Sequence, residues 1–381
     1  MSLRVQLVED LETLETLTAE WDGLAVAAGR PYCAPAWMLA WWRHCSPPGS
    51  SLRVIVAFDR DALAGVAPFF VEAGPPGLRR CRLLASGVSS PLEPLAREGL
   101  ERDCAQVFAA ALAAARPRAN AVTLEGVSGK SPWPRLLADA WPAKVKPVTV
   151  RTLHLPAPTV TLRGENLDEF LATKSSSFRQ QMRRRRRNLV SEGARFRVSS
   201  AEELPADLKR LARLHHGRWD PKGGSTALDP AVERMLGAAG RELVALGRFR
   251  VWSIDIDGST ISSHLMVAAG RELAYWLGGI DDSRAKQSPG LITLLHATED
   301  ALRRGERRFD LGSGGQDYKL RLADDEDHHD WLTLVPPGPG YALVRAHLRL
   351  LQLRYAATAR LSDEAKARLR RLARLARRRG G

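Results

Sequence analysis

The chain has 381 residues, 44% of them hydrophobic and 26% charged, which excludes a disordered or fibrous chain and is enough for two cores of ordinary size. The formal charge of +14 is unevenly spread. Residues 1–155 and 156–335 carry +2 each, whereas residues 336–381 carry twelve Lys and Arg against two acidic residues, +10. Any case for nucleic acid or an anionic membrane as a partner therefore concerns the tail and not the body. No apolar run has the length of a membrane span. The N-terminus, MSLRVQLVEDLETLETL, lacks the basic start and apolar stretch of a secretion signal. A cytoplasmic location is expected, peripheral at most to the inner face of the membrane. Cys33, Cys45, Cys81 and Cys104 have no metal-ligand spacing and read as reduced thiols.

In chain order, a helix is predicted over Leu11–Ala28. Pro31 and Pro35 bracket a turn, and Trp37, Trp41 and Trp42 fall on one face of the next helix. SLRVIVAFDRDALAGVAPFFVEAG reads as a hairpin turning at Asp59–Asp61. A helix over Cys104–Ala115 and a buried strand in NAVTLEGV follow. Pro142, Pro147, Pro156 and Pro158, with Pro134 upstream, predict a crossover between halves.

The second half repeats this grammar. SSSFRQQMRRRRRNLVSEG reads as a helix, with a cap at Ser175–Ser177 and Gly193 where it ends. Phe178, Met182 and Leu189 form its apolar stripe. Five consecutive arginines, Arg183–Arg187, go all the way round a helix. One of them, Arg185 or Arg186, must then flank the stripe and needs a phosphate, or an internal Asp or Glu, as partner. FRVSS, helices over Ala206–Trp219 and Ala231–Ala245, a second hairpin in VWSIDIDGSTISSHLMVAAG, and the strand RELAYWLGGIDD come next. SRAKQSPG then leads into a helix and the strand RRFDLGS. The two hairpins align by pattern, which predicts tandem copies of one αβ fold with the chemistry in the second.

At SPGL, Ser288 can cap the helix, Pro289 suits its first turn and Gly290 admits a ligand to the backbone. The free amides there suit phosphate, and Arg284 and Lys286 stand just before them. GSGG is not a P-loop, because no Lys-Ser/Thr follows it. His215–His216 and His328–His329 have no carboxylate four residues on, so no metal site is expected. ADDEDHHD, residues 323–330, reads as a surface turn, open to a cationic substrate or the basic tail.

The order of hairpin, strand, SPGL helix, FDLGSGG and DYKLRLA resembles the layout of the GNAT acyltransferases. Three stretches, EWDGL with PYCAPAWMLAWW, SSSFRQQMRRRRRNLVSEGARF, and YWLGGIDDSRAKQSPG through DYKLRLA, are similar to the CelD/BcsL-like acetyltransferase family. The resemblance implies an α/β (α+β) fold of tandem GNAT-like domains, 1–155 and 156–335, each a twisted mixed sheet flanked by helices. A basic helical tail, 336–381, lies outside it.

The resemblance also implies transfer of an acetyl or longer acyl group from acyl-CoA, acetyl-CoA foremost, to an amine such as an amino sugar or amino acid, without a metal. Carried over by position, Ser288, Pro289, Gly290 and Leu291 would hold the pyrophosphate, and Trp276, Leu277 and Gly278 the pantetheine arm and carbonyl. Lys-Gln-Ser-Pro-Gly-Leu departs from the superfamily's Gln/Arg-x-x-Gly-x-Gly/Ala signature. Tyr318 is the candidate acid for the leaving thiolate, and Asp310 and His264 are the candidate bases. Both have plainer readings, as a cap of the glycine turn and as a core histidine. Arg184, Arg185, Arg186 and Lys319 are candidates for substrate or anion binding. A Fem-type transferase using aminoacyl-tRNA, and a non-catalytic GNAT-fold binding module, are the alternatives.

The tail is predicted to form two amphipathic helices. The second starts at Ser362 with Leu369, Leu372 and Leu375/Ala376 as its stripe. It suits an anionic bilayer, RNA phosphates (tRNA among them), or the protein's own acidic surface.

Overall fold

The computed structural model describes residues 3–72, 74, 78–362, 365 and 368. Two compact units divide the chain: Met1–Ala157 with Glu326–Ala357, and a second built on Pro158–Asp325. Residues 326–335, expected in the second domain, and the start of the tail thus belong with the first.

The first unit opens with β1 (Arg4–Val8), then α1 (Leu11–Thr16) and α2 (Thr18–Ala27) in place of one long helix. Asp10 caps α1 by accepting from the Thr13 amide at 2.7 Å. Pro35 opens α3 (Pro35–Cys45), whose Trp37 and Trp41 are buried. β2 (Ser51–Asp59) and β3 (Ala62–Glu72) form the expected hairpin and are buried along nearly their whole length. β4 (Arg80–Leu83) and β5 (Leu95–Ala96) come next. α4 (Glu101–Ala114) then crosses to β6 (Ala121–Ser128), which pairs parallel with β4, and α5 (Trp133–Asp139) follows. Cys33, Cys81 and Cys104 are free thiols, their pKa values pushed up to about 12 by burial.

The proline-rich segment does carry the chain from one unit to the next, the division falling at Ala157–Pro158, and it does so as a strand, β7 (Val148–Thr161). Pro156 and Pro158 sit two residues apart, so the missing N–H groups fall on the same edge and the strand survives.

The second unit continues with α6 (Leu167–Ala172), α7 (Ser176–Ser191), β8 (Arg195–Val198), α8 (Leu204–Trp219) and α9 (Pro230–Leu243). The hairpin β9 (Phe249–Ile256) and β10 (Ser259–Ala269) leads to β11 (Glu272–Ile280). Then come α10 (Pro289–Arg303), β12 (Arg308–Asp310) and α11 (Asp317–Leu322). The strand order β8-β9-β10-β11-β12 repeats the first unit's β1-β2-β3-β4-β6, including the parallel pair at the helix crossover. Phe178, Met182 and Leu189 of α7 enter one core with Ile292 and Leu294 of α10 and Phe309 of β12. That packing holds the start of α10 beside the arginine helix.

The expected acidic surface turn is also a strand, β13 (Asp325–Val335), paired antiparallel with β6. It can bury acids because they are partnered. Ser128 donates to Asp327 at 2.6 Å, and Asp330 meets His154 at 2.8 Å and Arg151 at 3.7 Å. His154, His328 and Asp330 bring ligand-type atoms within 4.8 Å of one another. Spacing along the chain could not reveal this cluster, because His154 comes from a different strand. α12 (Tyr341–Ala359) then packs on the first unit's sheet. The stripe expected at Leu369, Leu372 and Leu375/Ala376 lies outside the described residues.

Burial holds three histidines of the second unit neutral: His215 at a pKa of about 4, and His264 and His296 at about 3. Each folded value is below the usual 6.5, so between pH 6.5 and about 3 the unfolded chain binds more protons. Stability is therefore complete above pH 6.5 and is lost as pH falls through that window. Urea unfolding between pH 7 and 4 should give a pH slope that becomes shallower in His296→Asn. An unchanged slope in that variant would mean that His296 is already protonated in the fold.

Candidate active site

β11 and β12 run parallel only from Glu272–Ala274 against Arg308–Asp310. β12 then stops, while β11 continues six residues to Ile280. On its other side β11 carries a bulge: pairing with β10 steps from Leu265–Leu277 to Met266–Tyr275, and Trp276 is skipped. A bulge re-aims the backbone beside it. The space left between the strands is a cleft of about 330 Å³. Its floor is Tyr275, Gly278 and Ile280, with His264 behind them, and the start of α10 (Ser288, Gly290, Leu291) closes one end. Asp317, Tyr318 and Arg321 of α11, Arg185 of α7 and Arg218 of α8 complete the wall.

Gly278 is required by its neighbours. A Cβ there would lie 2.5 Å from the His264 ring and 2.6 Å from the Tyr275 hydroxyl. Gly290 is nearly as tight, with Ile280 at 3.1 Å and His264 at 3.2 Å.

Ser288 departs from its expected role. It precedes α10 with φ +54°, in the left-handed region that a residue with a Cβ enters at a cost, and its side chain makes no cap hydrogen bond. Its hydroxyl instead accepts from the Arg185 guanidinium. The helix start and the arginine helix therefore meet at this residue.

The arginine run divides by partner. Arg183 donates to Asp168 at 2.8 Å and Arg186 lies 3.6 Å from Glu299, so these two meet internal carboxylates. Arg185, half-buried, has none. Desolvation lowers its pKa, and the like charges of Arg321 and Arg184 lower it further. Arg184, Arg187 and Arg321 line an adjoining groove of about 460 Å³ with Gln180 and Gln181. Among the described residues, Arg184, Arg185 and Arg187 have no carboxylate partner. Uncompensated guanidinium groups crowded together form a site for an external anion.

Tyr318 is mostly buried. Desolvation raises its pKa, and a hydrogen bond with Tyr275 opposes part of the rise. It therefore keeps its proton at neutral pH. His264 is 4% exposed, and burial, then Arg218, push its pKa down to about 3. That makes it a neutral hydrogen-bonding group and a poor base for an ammonium.

Asp310, 1% exposed, accepts from the Gly312 amide at 2.7 Å and lies behind the cleft wall. Its place is that of a cap on the glycine turn, outside the lining of the cleft. Lys319 is buried as well, its pKa pushed down to about 8 by desolvation against the pull of Asp310. Its Nζ donates to the Gly312 and Ser313 carbonyls at 3.2 and 3.0 Å. It holds the turn and does not line the cleft. Arg284 is engaged by Glu192 at 2.7 Å and Lys286 is exposed. Neither lines the cleft, nor do Arg184, Arg186, Trp276, Leu277 or Pro289.

The cleft residues not expected from the sequence are the polar Tyr275, Arg218, Asp317 and Arg321 and the apolar Ile280 and Ala285. Arg321 had a signal, since it follows Tyr318 by three residues and shares its helix face. Tyr275 had one in its position next to the WLGG stretch. Arg218 had none, because it arrives from a distant helix.

Residues 176–320 match the family model described as an acetyltransferase (GNAT) domain. This chain carries a GNAT-type acyltransferase domain. No curated protein matches the sequence. Solved structures share the fold across most of its length. FemX aligns with a TM-score of 0.63 at 13% identity, covering 89% of this chain and 99% of that one. A conserved protein of unknown function from Bacteroides thetaiotaomicron aligns at 0.54 and 10% identity, covering 87% and 100%. L-PGS from Bacillus licheniformis aligns at 0.53 and 13% identity, covering 90% and 98%. At such identities the likeness is one of fold. The GNAT-type domain contains the parted strands, the start of α10, the arginine helix and Tyr318.

Proposed function

We propose that the protein is an N-acyltransferase that moves an acetyl or longer acyl group from acyl-CoA to the amine of a small molecule, an amino sugar or amino acid. The observation that carries this reading is the parting of β11 from β12 beside a helix start, with Arg185 and a protonated tyrosine lining the same cleft. The phosphates of the donor fit Arg185 and the Gly290 amide at the start of α10, where Pro289 has no N–H and the Leu291 and Ile292 amides already donate to the Ser288 carbonyl at 3.1 and 3.2 Å, and the thioester arm fits along β11 past the bulge. Transfer forms the C–N bond and breaks the C–S bond. Backbone N–H groups of β11 are positioned to stabilise the oxyanion. Tyr318 gives its proton to the departing thiolate and recovers one from the amine through solvent. Asp317, the carboxylate in the lining, suits the incoming ammonium. We extend the proposal to membership of the CelD/BcsL-like group and to a cytoplasmic location, where acyl-CoA is made.

Arg185→Gln tests the donor assignment. Loss of a charge-assisted hydrogen bond to phosphate should raise the KM for acyl-CoA about tenfold to a hundredfold with little change in kcat. An unchanged KM would remove Arg185 from donor binding.

The groove of Arg184, Arg187 and Arg321 favours a second reading, in which the donor is an aminoacyl-tRNA whose phosphates run across α7. In that case tRNA, and not CoA, would raise the melting temperature, and Arg184→Gln/Arg187→Gln would make its binding less salt-dependent.

A further inference from the structure

We infer that the outer face of α12 docks in the plane of a bilayer containing anionic phospholipid. The helix is apolar on two sides. Its inner side is accounted for: Val344 and Leu348 are buried with Ala121 and Val335, and Gln352 donates to the Arg151 carbonyl at 2.8 Å. The outer side is not. Leu343, Leu350 and Leu353 are 48%, 65% and 53% exposed. Their spacing of seven and three residues sets them on one stripe, with Ala346 and Ala357 between and beyond them. Exposed leucines gathered in this way mark an interaction surface.

Charge selects the occupant. Between Tyr341 and Ala359 there is no Asp or Glu; Arg349 and Arg354 flank the stripe and Arg345 stands further round the helix, all three exposed. The sequence that follows Ser362 adds eight Lys and Arg against two acidic residues. A second copy of the chain would bring the same arginines against these, and so would the protein's own basic end. Nucleic acid would meet the arginines and leave the leucines in water. A bilayer surface bearing phosphates above hydrocarbon satisfies both at once. No helix among the described residues is long and apolar enough to cross a membrane, so the helix would lie flat and keep its inner side on the sheet.

The test is sedimentation of the full chain with vesicles of phosphatidylcholine alone and of phosphatidylcholine mixed with phosphatidylglycerol. Binding is expected only to the mixed vesicles. The triple variant L343Q/L350Q/L353Q, checked by an unchanged melting temperature, should bind them about tenfold more weakly or worse. R345Q/R349Q/R354Q should also weaken binding and reduce its salt dependence. Mixed-vesicle binding that the leucine variant leaves intact would overturn the proposal, since charge alone would then suffice. So would equal binding to neutral vesicles, RNA binding without vesicle binding, or a dimer that the leucine variant dissolves while neither form binds vesicles.

Discussion

Tyr318→Phe should lower kcat by about 10²–10³-fold, the usual weight of a general acid, and leave the KM for the donor near its original value. The change removes one oxygen and its hydrogen bond with Tyr275 while keeping the ring in the core beside α7. A thiolate then leaves without a nearby proton. An activated donor, such as a nitrophenyl ester, has a leaving group that needs none, so with it the variant should approach the parent rate. That rescue separates proton delivery from a merely structural loss, which would slow both donors alike. Because burial raises the Tyr318 pKa, the acid form should persist through neutral and mildly alkaline pH. A fall in kcat between pH 7 and 9 that Tyr318→Phe abolishes would contradict that direction.

Much of this machinery was legible in the sequence, and the reason is local. Hairpins, capped helices and the SPGL start depend on neighbours along the chain, so alternation and turn residues reveal them. The arginine helix shows how far such reading reaches. Its apolar stripe predicted that Arg185 or Arg186 would flank the core, and these two are the half-buried members of the run. Which of them meets a carboxylate depends on Glu299 and Ser288, more than a hundred residues away, and no periodicity encodes that. Asp310 stands out in the sequence at the end of its strand, and Lys319 next to Tyr318. Burial turns them behind the wall, where they fix the turn at Gly312. ADDEDHHD failed for a related reason. Five acids in eight residues read as solvated until Ser128, His154 and Arg151 arrive from other elements to partner Asp327 and Asp330.

The same distinction between local pattern and distant partner governs the largest stability effect expected here. Arg250, at the start of β9, donates to Glu306, just past the end of α10, at 2.6 and 3.1 Å. Both are buried, 4% and 3% exposed, and Asp300 lies 3.6 Å from the same guanidinium. Burial raises the Glu306 pKa despite this pairing, so the attraction does not fully offset desolvation. Removing Glu306 leaves the Arg250 charge buried with only the more distant Asp300 to offset it. Glu306→Gln should therefore cost about 3–5 kcal/mol, a fall in melting temperature of about 10 °C for a unit of this size. Arg250→Met combined with Glu306→Leu should recover most of the loss, because an apolar pair carries no desolvation penalty. Failure of the double variant to recover would mean that the pair holds the end of α10 by geometry as well as charge. The KM for the donor distinguishes the two cases: the cleft uses the opposite end of α10, so a displaced helix would move Ser288 and Gly290, whereas a helix that is only destabilised would leave donor binding intact below the melting transition.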